Sequence, residues 1–189
     1  MFWNVIIVSV VSLIASLISA LINAHLLSAT FITKKLKKCE ELAIFYVRFG
    51  IDVIFGILNC FTVLFIILFY TGFQDFVESH RNWIFYLSWP FLNVDTSRGL
   101  LILLITMDRN AAVYLPIFYR NNRKKIRNYW IFVILIAWLI TNNMVLWEIC
   151  GYQLSVPYGV ITIPGSLNIC YLEFMSNYNH VLITALITA

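Results

Sequence analysis

The chain has 189 residues, of which 61% are hydrophobic and 12% are charged, whereas soluble domains are about half apolar and a quarter charged. This composition excludes a soluble globular domain and indicates an integral membrane protein surrounded by the lipid bilayer. The net charge is +4, but the basic residues lie in two short stretches between apolar runs. Such a distribution is a topology signal rather than a nucleic-acid-binding face, so no nucleic-acid partner is expected.

Four apolar runs are each long enough to cross the hydrocarbon core as a helix, which takes about 20 residues. Helices are predicted rather than strands because backbone exposed to lipid must satisfy its own hydrogen bonds. The predicted spans are residues 5–33, 42–70, 84–111 and 129–149, and a fifth begins at 179–189. The third span is the least regular, since it contains Pro90, Asp95 and Arg98. The sequence therefore predicts an all-α fold, a single polytopic bundle of transmembrane helices.

The basic residues of the loops indicate on which side of the membrane each loop lies. Loop 34–41 contains four Lys or Arg residues and loop 112–128 contains five, whereas loops 71–83 and 150–178 together contain one, Arg81. Basic loops stay in the cytoplasm. The first two loops are therefore predicted to be cytoplasmic and the other two external, with the N-terminus outside.

A polar motif lies at the predicted cytoplasmic end of the third span. It consists of Asp108, Arg109 and Asn110, followed by Pro116 and Tyr119. An arginine at the membrane face is costly if it is unpaired, so the adjacent aspartate can hold it until neighbouring helices move and release the guanidinium to a cytoplasmic partner. The alternative is an arginine that extends to the interface beside a local counter-ion.

Charged residues within the spans form a second group of candidates. Asp52 lies ~15 Å along the second helix, near the middle of the bilayer, where an ionised carboxylate is expensive and usually faces the bundle interior. Asn23, deep in the first span, is a candidate polar neighbour, and Arg48 is an alternative partner at i,i+4. Asp95 and Arg98 can pair with each other at i,i+3.

Two cysteines, Cys150 and Cys170, flank the second predicted external loop. A disulfide between them would close a loop of about 20 residues and stabilise it. The sequence contains no CxxC, HExxH, GxSxG or phosphate-loop pattern, and its three histidines lie far apart. It therefore predicts no metal site, no cofactor and no enzymatic activity.

The window from Asp108 to Tyr119 resembles the pattern D-R-Y-x-A-I-x-x-P-L-x-Y at the cytoplasmic end of the third helix in rhodopsin-like G-protein-coupled receptors, with Asn110 in place of the tyrosine. Nearly the whole chain resembles the nematode serpentine chemoreceptors, and class BC in particular. The stretches that carry this resemblance are residues 23–27, 45–52, 89–90, 108–109 and 116–119, together with Cys150, Pro157 and Cys170.

This resemblance implies a seven-helix receptor in the plasma or ciliary membrane that senses a small odorant or pheromone. Its partners would be a heterotrimeric G protein and, in an oligomer, other receptor chains. The resemblance also implies that Asn23 and Asp52 form a polar core able to hold sodium, and that Asp95 and Arg98 lie where such receptors take ligand between helices. The chain departs from the rhodopsin-like pattern because no cysteine lies near Ile84, where the usual bridge to the third helix would begin.

The last apolar run supplies about half of a membrane crossing, so we expect the sequence to end within a fifth helix and the 189 residues alone not to activate a G protein. The first hypothesis is a G-protein-coupled chemosensory receptor, or a fragment of one. A second is a truncated, non-signalling protein that pairs with full-length receptors, or a pseudogene product. A transporter or channel subunit is a third, but the inverted repeats and paired broken helices typical of that class are not found in the sequence.

Overall fold

The helices follow the apolar runs of the sequence. The computed structural model describes residues 2–32, 43–117, 119, 129–154, 156, 159 and 168–188. Its helices are α1 (Phe2–Ile32), α2 (Ala43–Tyr70), α3 (Gln74–Ser79), α4 (Arg81–Tyr114), α5 (Tyr129–Met144), a π-helical turn that continues α5 (Val145–Ile149), and α6 (Ile169–Thr188). Since none of these described residues forms a strand, the predicted all-α fold class is confirmed.

Three of the helices described are long and apolar enough to cross a membrane, over Trp3–Thr30, Ile44–Tyr70 and Tyr129–Ile149. Many of their large apolar side chains are exposed, as contact with lipid requires. The 34 residues of α4 also suffice in length, but Pro90 and five charged residues interrupt its apolar surface. The helices therefore support a multi-pass membrane protein, whereas a crossing by α4 stays a prediction.

Helices α1 and α2 pack closely because small residues face each other. A Cβ atom added at Gly56 of α2 would lie 2.8 Å from the Cβ of Ala20 and 3.2 Å from the backbone oxygen of Ser16. The side-chain amide of Asn59 donates a hydrogen bond to the Ser16 hydroxyl in the same interface. Small residues that let two backbones approach are a common basis of helix packing in lipid.

Two buried clusters join the remaining helices and define the two ends of the bundle. The first lies at what we name the disulfide end and contains Phe85, Val145, Leu146, Tyr152, Val156, Tyr171 and Met175. The second lies towards what we name the motif end, where α4 carries Asp108, and contains Ile44, Leu101 and Leu135. Helix α4 contributes to both clusters and therefore connects the two ends.

Several helix bounds differ from the predicted ones, and α1 begins at Phe2 rather than at residue 5. Helix α4 extends three residues beyond the predicted span at each end, and the short helix α3 lies within predicted loop 71–83. Helix α6 begins at Ile169, ten residues before the predicted start. Its first turn forms because the Asn168 side chain accepts a hydrogen bond from the Tyr171 backbone N–H at 3.0 Å, as N-cap residues do. The side chains of Tyr171 and Met175, in the first two turns of α6, are buried against the rest of the bundle.

Several predictions concern residues outside the described ranges. Predicted cytoplasmic loop 34–41 lies wholly outside them, and only 112–117 and 119 of loop 112–128 lie within them. In predicted external loop 150–178, residues 155, 157, 158 and 160–167 are also outside. The assignment of these loops to the two sides of the membrane remains a prediction.

Candidate functional site

An ion network joins α2 to α4 in the middle of the bundle. The Asp52 carboxylate accepts one hydrogen bond from Arg48 Nε and one from Arg98 Nε, both at 2.7 Å. Arg98 also lies 3.5 Å from an oxygen of Asp95. The side chains of Asp52 and Arg98 are only 12% and 26% exposed. Two acidic and two basic residues meet here, so the charges of the network balance.

The arginine at the centre of this network is also held by aromatic rings. The guanidinium carbon of Arg98 lies 3.8 Å from the ring centroid of Phe55, and Phe55 stacks on Phe91 with centroids 4.9 Å apart. A cation over an aromatic face gains electrostatic attraction, more so where water is excluded. Arg98 therefore makes two contacts with α2, a hydrogen bond to the Asp52 carboxylate and a cation–π contact with the Phe55 ring.

Asn23 and Asp52 were predicted to form a polar core, and each of them bonds to other residues. Asn23 Nδ2 donates to the backbone oxygen of Ser19 at 2.9 Å and to the Ser19 hydroxyl at 3.4 Å, one turn back on its own helix. Asp52 contacts the two arginines described above. Both local pairs considered from the sequence, Arg48 with Asp52 and Asp95 with Arg98, are present together.

The Asp-Arg motif lies in the last two turns of α4. Helix α4 ends at Tyr114, and Leu115 leaves the helical conformation with φ −128° and ψ 55°, because Pro116 excludes the α region for the residue before it. The Tyr119 hydroxyl donates to Asp108 at 3.2 Å. The exposed Arg109 places its guanidinium carbon 5.1 Å from the ring centroid of Phe45 on α2. Asn110 is half-buried.

A chain of buried amides links α4, α5 and α6. Asn142 Nδ2 donates to Asn93 Oδ1 at 2.7 Å, and the Tyr171 hydroxyl donates to Asn142 Oδ1 at 2.8 Å. Asn142 and Tyr171 are 1% and 0% exposed. This chain of hydrogen bonds was not predicted from the sequence, although an asparagine within the apolar run of α5 is a signal for it, because amides in lipid bond across helices.

A disulfide bond links the start of α6 to the residue that follows the π-helical turn. Cys150 and Cys170 form a disulfide with their Cα atoms 5.7 Å apart. The Asn168 side chain donates to the backbone oxygen of Cys150 and also caps α6. This arrangement fixes the start of α6 against the end of the π-helical turn.

Beside the disulfide lies a group of four aromatic side chains, Phe85, Trp89, Trp147 and Tyr152, which we name the aromatic cluster. Phe85 stacks on Trp89 and on Tyr152, with centroids 5.7 and 5.6 Å apart. Trp147 lies edge-on to the other three at 5.6 to 5.9 Å. The cluster was not predicted from the sequence, because its members come from α4, the π-helical turn and the segment after it. No group of three or more His, Cys, Asp or Glu in the described part of the chain is placed to hold a metal ion.

A multi-pass bundle of helices with an Asp-Arg motif at the end of one of them is a feature that G-protein-coupled receptors share. Comparison with known families supports this class. The sequence model of the serpentine type 7TM GPCR chemoreceptor Srbc matches residues 1–189. The chain belongs to this family of chemosensory receptors, and the family assignment made from the sequence is confirmed. No curated protein and no solved structure matches the chain.

Proposed function

We propose that the protein binds a small odorant-like or pheromone-like molecule between its helices and passes the signal to a heterotrimeric G protein by rearrangement around Asp108 and Arg109. The observation that carries this proposal is the ion pair between Asp52 and Arg98, which joins α2 to α4 across 46 residues of sequence. An ionised residue within a bundle is costly and is usually functional.

The ligand side of the proposal concerns Asp95 and Arg98. The Asp95 side chain is 52% exposed, and its contact with Arg98 is 3.5 Å long, against 2.7 Å from Arg98 to Asp52. Asp95 is thus the less firmly held carboxylate of the network. A ligand that shifts Asp95 changes the balance of charge around Arg98 and weakens its pairing with α2.

The signalling side follows from helical periodicity. Arg98 and Arg109 are eleven residues apart, which is close to three turns and about 16 Å along α4. Both arginines therefore lie on the face of α4 that contacts α2, one against Asp52 and the other over Phe45. Loosening Arg98 lets α4 move relative to α2, which withdraws Phe45 from Arg109 and frees its guanidinium for a G protein.

This proposal includes a topology. With the N-terminus outside, loops 34–41 and 112–128 face the cytoplasm and place Arg109 at the cytoplasmic surface, where a G protein binds. The disulfide end then faces outwards, in an oxidising environment that supports a disulfide. The plasma or ciliary membrane is the proposed location, and association with further receptor chains is part of the same proposal.

The test measures ligand-independent G-protein turnover in cells that express the protein from its full-length transcript. We expect Arg98→Gln to raise turnover, because α4 is released from α2, and Arg109→Ala to abolish it. Arg81→Gln, at the exposed start of α4, is the matched control and should resemble the wild type. Unchanged turnover in both Arg98→Gln and Arg109→Ala would overturn the proposal.

A further inference from the structure

We propose that four exposed aromatic side chains, in α3, at the start of α4 and in the turn before them, bind the headgroup boundary of the bilayer and fix the depth of α4. We name this surface the aromatic corner, and its residues are Phe73, Phe76, Trp83 and Tyr86. The inference goes beyond the proposed function, because it concerns contact with lipid and requires neither a ligand nor a G protein. The partner is the boundary between headgroups and acyl chains of a zwitterionic lipid such as phosphatidylcholine.

The rings of the aromatic corner point away from the bundle. Their exposed fractions are 57% for Phe73, 50% for Phe76, 59% for Trp83 and 57% for Tyr86. The other side of the same segment carries Val77, Ile84 and Phe85, which are buried. One side of α3 and of the first turns of α4 thus packs on protein, while the other presents large rings to the surroundings. A contiguous exposed apolar patch of this kind marks an interaction surface.

Contacts between α3 and α4 join the four rings into one surface. The Phe76 ring packs on the His80 ring with centroids 4.6 Å apart. The Trp83 backbone N–H donates to the backbone oxygen of His80 at 2.9 Å. Trp83 and Tyr86 are three residues apart on α4 and are therefore neighbours on its surface. His80, between the two helices, thus connects the aromatic side chain of α3 to those of α4.

The place of the aromatic corner in the chain identifies what covers it. The membrane-spanning segment of α2 ends at Tyr70, and Phe73 follows three residues later. Trp and Tyr are enriched where the hydrocarbon core meets the headgroups, because each has an apolar ring and a polar tip. The exposed charged residues Asp75 and Arg81 lie among the rings. A surface that combines large rings with charges fits the headgroup boundary better than it fits either the hydrocarbon core or water.

The charges also identify the kind of lipid. Segments that bind anionic lipids carry clusters of Lys and Arg. Between residues 71 and 86 the only Lys or Arg is Arg81, and the acidic residues are Asp75 and Glu78. The segment is therefore slightly acidic at neutral pH, which favours a zwitterionic headgroup over an anionic one.

The spacing along α4 provides an independent observation. Arg109 follows Tyr86 by 23 residues, or about 34 Å of helix, and the hydrocarbon core is about 30 Å thick. With Trp83 and Tyr86 at one boundary, the Asp-Arg motif lies at the other. A second exposed aromatic pair is present at that end: Tyr129 and Trp130 stack with centroids 4.9 Å apart at the start of the α5 span. The aromatic corner thus explains how α4, whose apolar surface is interrupted by charges, is held across the membrane.

The test uses the full-length protein in phosphatidylcholine nanodiscs whose acyl chains carry bromine either near the headgroup or near the chain ends. Bromine quenches tryptophan emission on contact, and the Trp83 signal is the emission of the wild type minus that of Trp83→Phe. We expect quenching of this signal to be at least about twofold stronger by the shallow bromines, as a ring at the headgroup boundary requires. Stronger quenching by the deep bromines would place Trp83 in the hydrocarbon core, and no quenching by either would place it in water or under another protein chain; both results would overturn the proposal.

The matched control adds a tryptophan at the middle of a span. Phe61 is exposed on α2 and precedes the end of its span at Tyr70 by nine residues, or about 13 Å. The emission gained in Phe61→Trp should therefore be quenched more strongly by the deep bromines than by the shallow ones. The opposite depth profiles of this residue and of Trp83 show that the two brominated lipids report depth.

Two changes of lipid distinguish an anchor from a ring that lies at this depth by chance. In a thicker bilayer, interfacial aromatic residues stay with the headgroups and the helix changes its tilt, so the ratio of shallow to deep quenching for Trp83 should change less than about 1.5-fold. A shift to stronger deep quenching would contradict the proposal. Replacing part of the lipid by phosphatidylserine should leave the ratio unchanged, and a rise would assign the aromatic corner to anionic headgroups instead. These readouts do not involve a G protein, so failure of this inference and failure of the proposed function are detected separately.

Discussion

The ion network makes a quantitative prediction about helix association. Removing the charge of Asp52 should be more destabilising than removing that of Arg98, and removing Arg98 more destabilising than removing Arg48. Asp52 has two guanidinium partners at 2.7 Å, so Asp52→Asn removes the carboxylate to which both arginines bond and leaves Arg98 only its 3.5 Å contact with Asp95. Arg98→Gln breaks the bond between helices but leaves Asp52 paired with Arg48.

The magnitudes follow from burial. Removing one member of a buried ion pair costs about 3–5 kcal/mol, which applies to Asp52 because its side chain is 12% exposed. Loss of one charge-assisted hydrogen bond costs about 1.5–3 kcal/mol, which we expect for Arg98→Gln. Arg48→Gln removes a pair within one helix and should cost about 1 kcal/mol or less.

The assay is equilibrium unfolding by titration with sodium dodecyl sulfate in mixed micelles, with helicity followed by circular dichroism. A double-mutant cycle of Asp52→Asn and Arg98→Gln isolates the pairwise term, for which we expect about 1.5–3 kcal/mol. Arg81→Gln, at the exposed start of α4, serves as the control. A coupling energy below about 0.5 kcal/mol, or equal losses for Arg48 and Arg98, would refute the reasoning that this pair joins α2 to α4.

The same unfolding titration tests three further sites. Cys170→Ser should cost about 3 kcal/mol, because the disulfide closes a loop of 20 residues, whereas Cys60→Ser, at a free thiol, should cost less than about 1 kcal/mol. Gly56→Ala should destabilise by about 1–3 kcal/mol, since its Cβ would lie 2.8 Å from a side chain of α1, and Gly50→Ala, with open space around it, should not. Tyr171→Phe should cost about 1–2 kcal/mol, because the buried Asn142 loses a donor; a loss no larger than that of Cys60→Ser would contradict the amide chain.

The sequence predicts most of the helical framework because apolar runs and their length are local properties. Helices α1, α2 and α5 follow the predicted spans closely. The start of α6 at Ile169 was missed, since it depends on the cap by Asn168 and on the burial of Tyr171 rather than on an uninterrupted apolar run. Hydropathy identifies helices that contact lipid. It predicts the bounds of a helix less well where that helix packs against protein.

The contacts of the candidate site likewise fall into those that a local sequence pattern predicts and those that depend on how the helices pack. Pairs at i,i+3 and i,i+4 can be inferred from spacing, and those of Arg48 with Asp52 and Asp95 with Arg98 are both present. The bond from Asp52 to Arg98 spans 46 residues, so it depends on how α2 and α4 pack and no local pattern predicts it. The aromatic cluster is harder still, because the π-helical turn that places Trp147 has no simple sequence signature.

The two local ion pairs also bear on how the protein is made. Helix α2 is synthesised before α4, and Asp52 has Arg48 one turn away on the same helix. Asp95 likewise has Arg98 on its own helix. With both helices inserted as the sequence predicts, each one carries its own counter-charge when it leaves the ribosome, which lowers the cost of inserting a charged side chain, about 2.5–3.5 kcal/mol at the centre of a membrane helix. The bond between Arg98 and Asp52 then forms when the inserted helices associate. The Asp52 carboxylate therefore pairs with Arg48 during membrane insertion and gains Arg98 as a second partner when the bundle assembles.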